Sequence, residues 1–320
     1  MDKIIKAPFY RARTYTNNIM LDVIIALIPV SIMAVVKFGF RSLLFMATGI
    51  ISAVIWEMIC NKLKGEESSI GDLSACVTGL LLGLSFAITT PLWIIILATF
   101  IAIVLVKQLP GGIGKNTFNP AVFARVAIKI ILTPFITNWV SPLPDMISSA
   151  TPLEHIGNRM ESVPEGVASI YDLFMGNIGG NIGETVKWAI ILGYIYLALR
   201  KTINPWMPIA MIGGLFFTTL LFGQSDYNFA LYHILSGTAM FAAVFMVTDY
   251  SSGPLNHRAR IFYALAIGIL TGIIRYLFNL PGGVGVSILI MNFLAPVFDR
   301  ANPPRVFGFR NPISTFNRRH

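Results

Sequence analysis

Leu109-Pro110-Gly111-Gly112-Ile113-Gly114 recurs later in the chain as Leu280-Pro281-Gly282-Gly283-Val284-Gly285, and Asn119-Pro120-Ala121-Val122-Phe123-Ala124-Arg125 is echoed loosely by Leu294-Ala295-Pro296-Val297-Phe298-Asp299-Arg300. A continuous helix does not run through either copy, because proline brings no amide donor and paired glycines forfeit helix propensity. Both copies nevertheless sit between long apolar stretches. Working outward from them, ten such stretches emerge, near residues 19–38, 42–61, 72–90, 92–108, 119–138, 186–200, 205–223, 231–248, 260–278 and 284–298. Crossing a hydrocarbon core of about 30 Å takes roughly 20 apolar residues. The repeat divides the ten into five and five, and an odd number of crossings makes the second copy enter the membrane from the other side. Two inverted five-helix repeats are therefore expected, related by a pseudo-twofold axis in the membrane plane. Their broken helices should line an internal cavity, since broken backbone is tolerated in a bilayer only where protein or water satisfies it.

Composition agrees with lipid as the solvent. Of the 320 residues only 12% are charged and 55% are hydrophobic, with a mean hydropathy of +0.71. A soluble chain carries about a quarter charged residues. The expected fold class is thus an all-α membrane protein of about ten transmembrane helices in a single membrane domain, residues 1–320. Repeat one spans about 19–138, an extracytoplasmic loop about 139–185, repeat two about 186–298 and a cytoplasmic tail about 299–320. Lys3, Lys6, Arg11 and Arg13 precede the first apolar run as in a signal peptide, but that run is long, carries Asp22 and ends at Lys37 without a small-residue cleavage site.

Basic residues set the orientation, because Lys and Arg near helix ends stay in the cytoplasm. With an inside N-terminus, seventeen of the 24 fall on one side, Lys107, Lys115, Arg200 and Lys201 among them, and both termini are cytoplasmic. The net charge of +9 then reflects topology and contact with anionic membrane lipid, and no nucleic acid partner is expected. Cys60 and Cys76 have no CxxC partner, and His155, His233, His257 and His320 lack ligand spacing, so no metal site is expected and the histidines read as solvated or interfacial.

Glycine runs raise the question of a nucleotide site, but Gly114-Lys115 is followed by Asn116 and lacks the earlier glycine of a P-loop, and no GxGxxG opens a helix after a strand. The ionisable residues in or near spans stand out instead, each costing roughly 2.5–3.5 kcal/mol or more at the bilayer centre. Lys129 and Arg275 are close enough to span ends to snorkel, and Asp72 and Asp249 fit a surface position as well. Asp22, Glu57 and, third, Asp249 are the candidates for an ion path. Asn116 and Asn119 lie three apart beside the first break and would share a helix face, where amides suit a heteroaromatic edge of alternating N–H and C=O groups. Capping by Asn119, with Pro120 at the first helical position, explains part of that pattern. The glycine-rich run 176–185 resembles a further helix start whose amides meet a carbonyl or an anion.

The segment Asp145-Met146-Ile147-Ser148-Ser149-Ala150-Thr151-Pro152-Leu153 resembles the flavinylation motif of the family that contains the D-type component of the Rnf complex and the B-type component of the Na+-translocating NADH:quinone reductase. Ala7-Pro8-Phe9, Thr78-Gly79-Leu80-Leu81, the run from Gly111 to Ala121 and Gly183-Glu184-Thr185 follow in family order, so the resemblance covers nearly the whole chain. The short N-terminal region is closer to the Rnf component. The resemblance implies FMN held as a phosphoester on Thr151, with Asp145, Ser148 and Ala150 completing the motif and Ser149 standing where glycine is usual. It implies attachment by a dedicated flavin transferase, and a second, non-covalent flavin, riboflavin, near Asn116 and Asn119. It also implies a fold similar to urea and ammonium channels. The partners would be the A-, B-, C-, E- and G-type components of the Rnf complex, and the location a bacterial or archaeal cell membrane, where electron transfer between ferredoxin and NAD drives Na+ or H+ outward. Without the resemblance, the inverted repeat fits a solute channel or secondary transporter equally well.

Overall fold

The structure, a computed structural model, describes residues 16–65, 69–144, 146–147, 151–155, 168–223, 226–278 and 282–301. Asp145, Ser148, Ser149 and Ala150 lie outside the described residues, as do Ala7-Pro8-Phe9, Leu280-Pro281 and the tail beyond Ala301. Among the described residues the regular elements are all helices, without a strand. In order come α1 (Thr16–Phe38), α2 (Phe40–Lys64), α3 (Ser74–Leu84), α4 (Leu92–Gln108), α5 (Pro120–Ile131), α6 (Lys187–Leu199), α7 (Trp206–Phe222), α8 (Tyr227–Leu235), α9 (Ala239–Phe245), α10 (His257–Leu277) and α11 (Gly283–Ala301). Four of these, α1, α2, α10 and α11, are long and apolar enough to cross a membrane, and α8 with α9 makes a fifth if the bent pair counts as one span.

Exposed Ile28, Ile32 and Val36 on α1 and Ile51 and Ile55 on α2 follow helical spacing and turn outward. Such stripes belong against acyl chains, since in water they would be large unpartnered apolar patches. This is a multi-pass membrane protein. Inside, one continuous apolar core takes side chains from α1 through α11. Glycines bring the backbones together: a β-carbon on Gly79 of α3 would collide with the Gly49 carbonyl of α2, and one on Gly268 of α10 with the Met211 carbonyl of α7. Where lipid offers no hydrophobic drive between helices, this close approach supplies the packing.

Several stretches that read as single spans are interrupted. The stretch 72–90 is helical only from Ser74 to Leu84 and continues as irregular chain. The stretch 231–248 is the pair α8 and α9, which meet at 57° around Ser236-Gly237. Gly237 takes φ +63° there, a left-handed conformation that glycine adopts without a β-carbon clash. The first Pro-Gly-Gly break is present: α4 loosens into π-helical winding from Ile101 to Gln108, and Gly112 N still bonds to Lys107 O five residues back at 2.9 Å. The chain then turns through Gly111, Gly112 and Gly114, all at positive φ, before Asn119 starts α5 by accepting from Ala121 N (3.0 Å) and Val122 N (3.2 Å).

The glycine-rich run 176–185 is not an open helix start. Its amides are spent inside the protein, Ile182 N on Phe86 O (3.1 Å) and Gly183 N on Leu84 O (2.8 Å), so it caps the interrupted end of α3. Leu173, Ile178 and Ile182 are buried, and the second part of the segment expected as an outer loop is therefore packed into the molecule. Two ends can be told apart: a basic end, where Lys64 reaches the Gln108 carbonyl and Asn116 meets Ser251, and a loop end, where Lys37 bonds to Asn177 (2.6 Å) and Leu143 N to Lys37 O (2.8 Å).

Candidate functional site

At the basic end, the break after α4, the chain after α9 and the flanks of α1, α3 and α6 enclose a cavity of about 790 Å³, counting the part open to solvent. Its walls are apolar, with Val23, Val77, Leu81, Leu197, Val244 and Phe245, and its rim is polar, with Asn116, Asn119, Thr202, Asp249, Tyr250 and Ser251. Three residues that stand out in the sequence, Asn116, Asn119 and Asp249, thus meet at one place.

Their amides are not spare. Asn116 Nδ2 donates to Phe118 O (3.1 Å) and Ser251 Oγ (3.2 Å), while its Oδ1 accepts from Gly114 N (3.2 Å). Asn119 caps α5, donates from Nδ2 to Met246 O (3.1 Å), and its backbone N–H donates to Asn292 Oδ1 (3.2 Å). Both therefore build the rim, and a ligand meets mainly the second lone pair of Asn116 Oδ1. Asp249 accepts from Ser251 N (3.1 Å), Ser251 Oγ (2.9 Å) and Ser252 Oγ (2.9 Å). Burial pushes its carboxyl above the usual carboxylate range, against the pull of those donors. Tyr250 Oη is buried, with the Thr16 side chain as its polar neighbour.

Asp22 and Glu57 do not line this cavity, but each touches a residue that does. Asp22 accepts from Thr202 Oγ1 (2.8 Å), Tyr196 Oη (3.0 Å) and Arg200 Nε (3.2 Å), tying α1 to α6 and the turn after it. Glu57 is fully buried and its Oε1 lies 2.5 Å from Lys107 Nζ, which also donates to Ser74 Oγ (2.6 Å). Ser74 Oγ in turn donates to Asp72 Oδ1 (2.5 Å). Lys107, which the charge pattern places among the cytoplasmic cations, is 3% exposed: helix winding turns it inward, to a carboxylate that sequence spacing could not pair with it.

A second polar cluster lies toward the loop end, around the Ser236-Gly237 break. Arg275 of α10 is 6% exposed, so it does not snorkel; Nη1 donates to His233 O (2.6 Å), while Nε and Nη2 are buried without a partner. His233 is itself buried edge-on against Phe229, not interfacial. Lys187, fully buried at the start of α6, donates to the carbonyls of Glu184 and Gly237. Glu184 pairs with Arg125 (3.2 Å). Thr151 is half-buried, and Leu153, two residues on, is buried at the edge of this cluster. A β-carbon on Gly237 would sit 3.4 Å from Leu153 Cδ2 and 3.8 Å from Arg275 Nη2. Beside it a smaller cavity, about 370 Å³, is lined by Arg125, Lys129, Thr238 and Gly282 of the second Pro-Gly-Gly break. Sequence reasoning names neither Lys187 nor Glu184 as functional. The signal for them is the Gly183-Glu184-Thr185 run, whose carboxylate sits next to a lysine at the head of an apolar stretch.

Residues 3–308 match the profile of the NQR2, RnfD, RnfE family. The chain belongs to that family. Among curated relatives of this NQR2, RnfD, RnfE protein, the D-type component of the proton-translocating ferredoxin:NAD(+) oxidoreductase complex of Clostridium ljungdahlii is 34% identical over 96% of each chain. The D-type component of the Na(+)-translocating ferredoxin:NAD(+) oxidoreductase complex of Acetobacterium woodii is 36% identical over 94% of each. That of the ion-translocating oxidoreductase complex of Yersinia pseudotuberculosis is 30% identical over 97% of this chain and 99% of its own length.

Proposed function

We propose that this chain is the flavin-carrying membrane subunit of a redox-driven ion pump, relaying electrons between ferredoxin and NAD and coupling their flow to Na+ or H+ movement. Membership of a translocating oxidoreductase complex follows from full-length similarity to D-type components of complexes named for that activity. The flavin relay goes further, and it rests on the Asp145–Thr151 motif together with the basic-end cavity. That cavity offers apolar walls and a polar rim of hydrogen-bonding side chains, Tyr250 among them. These features fit a tricyclic ring with a hydrogen-bonding edge, and riboflavin is assigned there. FMN is assigned to Thr151 as a phosphoester, and the unpartnered cationic edge of Arg275 nearby fits an anionic link.

When bound, the flavins supply one- and two-electron chemistry, while the protein supplies position and electrostatics. Asn116 and Asn119 hold the rim of the cavity in shape through their backbone hydrogen bonds. Asp249 places a partly buried acid on the same rim, and Lys107 brings the Glu57 pair to its wall. These acids, with Asp22 one hydrogen bond behind Thr202, are the positions at which cation or proton movement would respond to charge arriving in the cavity.

In this reading ten helices cross the membrane as two inverted five-helix repeats, the basic end and both termini face the cytoplasm, and the 139–185 segment lies outside. The partners are the A-, B-, C-, E- and G-type components of the Rnf complex, with a flavin transferase for maturation. The single observation that carries the function is the match to D-type relatives over almost the whole of both chains. Thr151→Ala tests it: the complex should assemble with normal subunit content and lose ferredoxin-to-NAD electron transfer. Wild-type electron transfer in that variant contradicts the relay.

A further inference from the structure

The Ser236-Gly237 break gathers more positive charge than the described residues neutralise. Arg125, Lys187 and Arg275 converge there, and Glu184 is the one carboxylate among the described residues whose field reaches both Lys187 and Arg275. Glu184 is already committed: Oε2 to Arg125 at 3.2 Å and Oε1 to Asn181 Nδ2 at 3.0 Å. A buried cation without a counter-ion is costly, and such groups persist where an anion completes them.

The hydrogen-bond inventory says what kind of anion. Arg275 uses Nη1 on the His233 carbonyl, which leaves Nε and Nη2, two atoms on the same edge of the guanidinium, buried and unpartnered. That edge grips two oxygens of one carboxylate or phosphoryl group. Ser236 Oγ, at the break itself, is fully buried and also unpartnered. Gly237 leaves space next to both groups, since the position its β-carbon would occupy is 3.8 Å from Arg275 Nη2 and 3.4 Å from Leu153 Cδ2. Leu153 follows Thr151 by two residues, so the threonine backbone lies within about 8 Å of the leucine along the chain.

We propose that Arg275 and Lys187, at the break between α8 and α9, form a buried oxyanion site whose ligand is the phosphodiester joining the flavin to Thr151. The site rests on the reading of Thr151 as the flavin acceptor and adds to it a function for the break: the link is clamped at its phosphate, so the flavin is held at a fixed place beneath the loop end instead of swinging on a threonine. Arg275 donates through its free edge, Lys187 adds charge, and the Ser236 hydroxyl is a further donor.

The test uses the purified complex in wild-type, Arg275→Gln and Arg275→Lys forms. Covalent flavin on the chain is first quantified by fluorescence after denaturing electrophoresis. Release of that flavin from the native complex by a phosphodiesterase is then timed, alongside the decay of flavin fluorescence anisotropy. With equal starting flavin, Arg275→Gln should release about tenfold faster than wild type, the scale of one charge-assisted hydrogen bond, and show a faster anisotropy decay. Arg275→Lys, which keeps the charge and loses the paired edge, should fall between them, and it decides the matter if the glutamine form does not assemble. Equal release and equal anisotropy in all forms overturn the clamp while leaving Thr151 as acceptor. A wild-type chain without covalent flavin overturns the acceptor reading as well. Inorganic phosphate that raises the thermal stability of flavin-loaded wild type through Arg275, with release unchanged, assigns the site to a free anion and also overturns the clamp.

Discussion

In the first half of the chain, Lys107 enters the interior to meet a carboxylate: its ammonium lies 2.5 Å from Glu57 and 2.6 Å from Ser74, and lysine and glutamate are 3% and 0% exposed. In the second half, Arg275 is buried to almost the same degree, but its one bonded partner is the neutral carbonyl of His233, and Lys187 likewise rests on carbonyls. Both halves carry a Pro-Gly-Gly sequence and an interrupted helix, yet among the described residues one closes its charge and the other does not. The difference assigns them different work. A closed pair beside the basic-end cavity fixes geometry, and in the proposed reading it supplies an acid that responds to the cofactor. In the proposed reading, the open cationic cluster at the Ser236-Gly237 break is completed by the anionic link on Thr151.

The largest effect should come from opening the closed side. Glu57→Gln or Lys107→Met alone leaves one buried charge with neutral partners, Ser74 Oγ for Lys107 and Gln108 Nε2 for Glu57, a loss of about 3–5 kcal/mol, whereas the double variant should regain most of it. Thermal unfolding of the purified complex reads this directly, and single and double variants that melt together would erase the contrast. On the open side the sign depends on the flavin. In wild type, Arg275→Gln should cost about 1.5–3 kcal/mol, and in a Thr151→Ala background it should cost little or stabilise, because the unmatched charge is removed. The double-mutant cycle measures the coupling, and strict additivity would break the link between the two sites. Smaller still is Asn119→Ala, which removes the cap of α5 at a cost of about 1 kcal/mol. It should also reduce the flavin extractable by acid while covalent flavin stays at its wild-type level. Unchanged extractable flavin would detach Asn119 from the cavity's ligand.

The first break is legible in the sequence because proline and paired glycine stand there together at the end of an apolar run, and the start of α5 is legible in Asn119-Pro120, whereas Pro29, Pro296 and the Gly213-Gly214 pair sit inside continuous helices. Asn116 and Asn119 read as a pair beside the first break, whereas nothing in the sequence joins Asp249 to them, and the fold brings all three to one cavity. What the sequence conceals is direction. Lys107 and Arg275 lie near helix ends, where a long cation ordinarily reaches for water, and only the winding of α4 and the position of α10 turn them inward. The bend at Ser236-Gly237 is hidden because a single glycine in an apolar run is compatible with an unbroken helix. The inward fold of residues 176–185 is hidden because its partners, Leu84 and Phe86, are distant in sequence and contribute only backbone carbonyls.

The flavin inventory of the purified chain tests the central reading most directly. Intact-mass and peptide mass spectrometry, combined with analysis of the acid extract, should find one FMN, less one water, on the peptide containing Thr151 and one extractable riboflavin per chain. A chain of unmodified mass and an extract without riboflavin, from cells that express the flavin transferase, would contradict it.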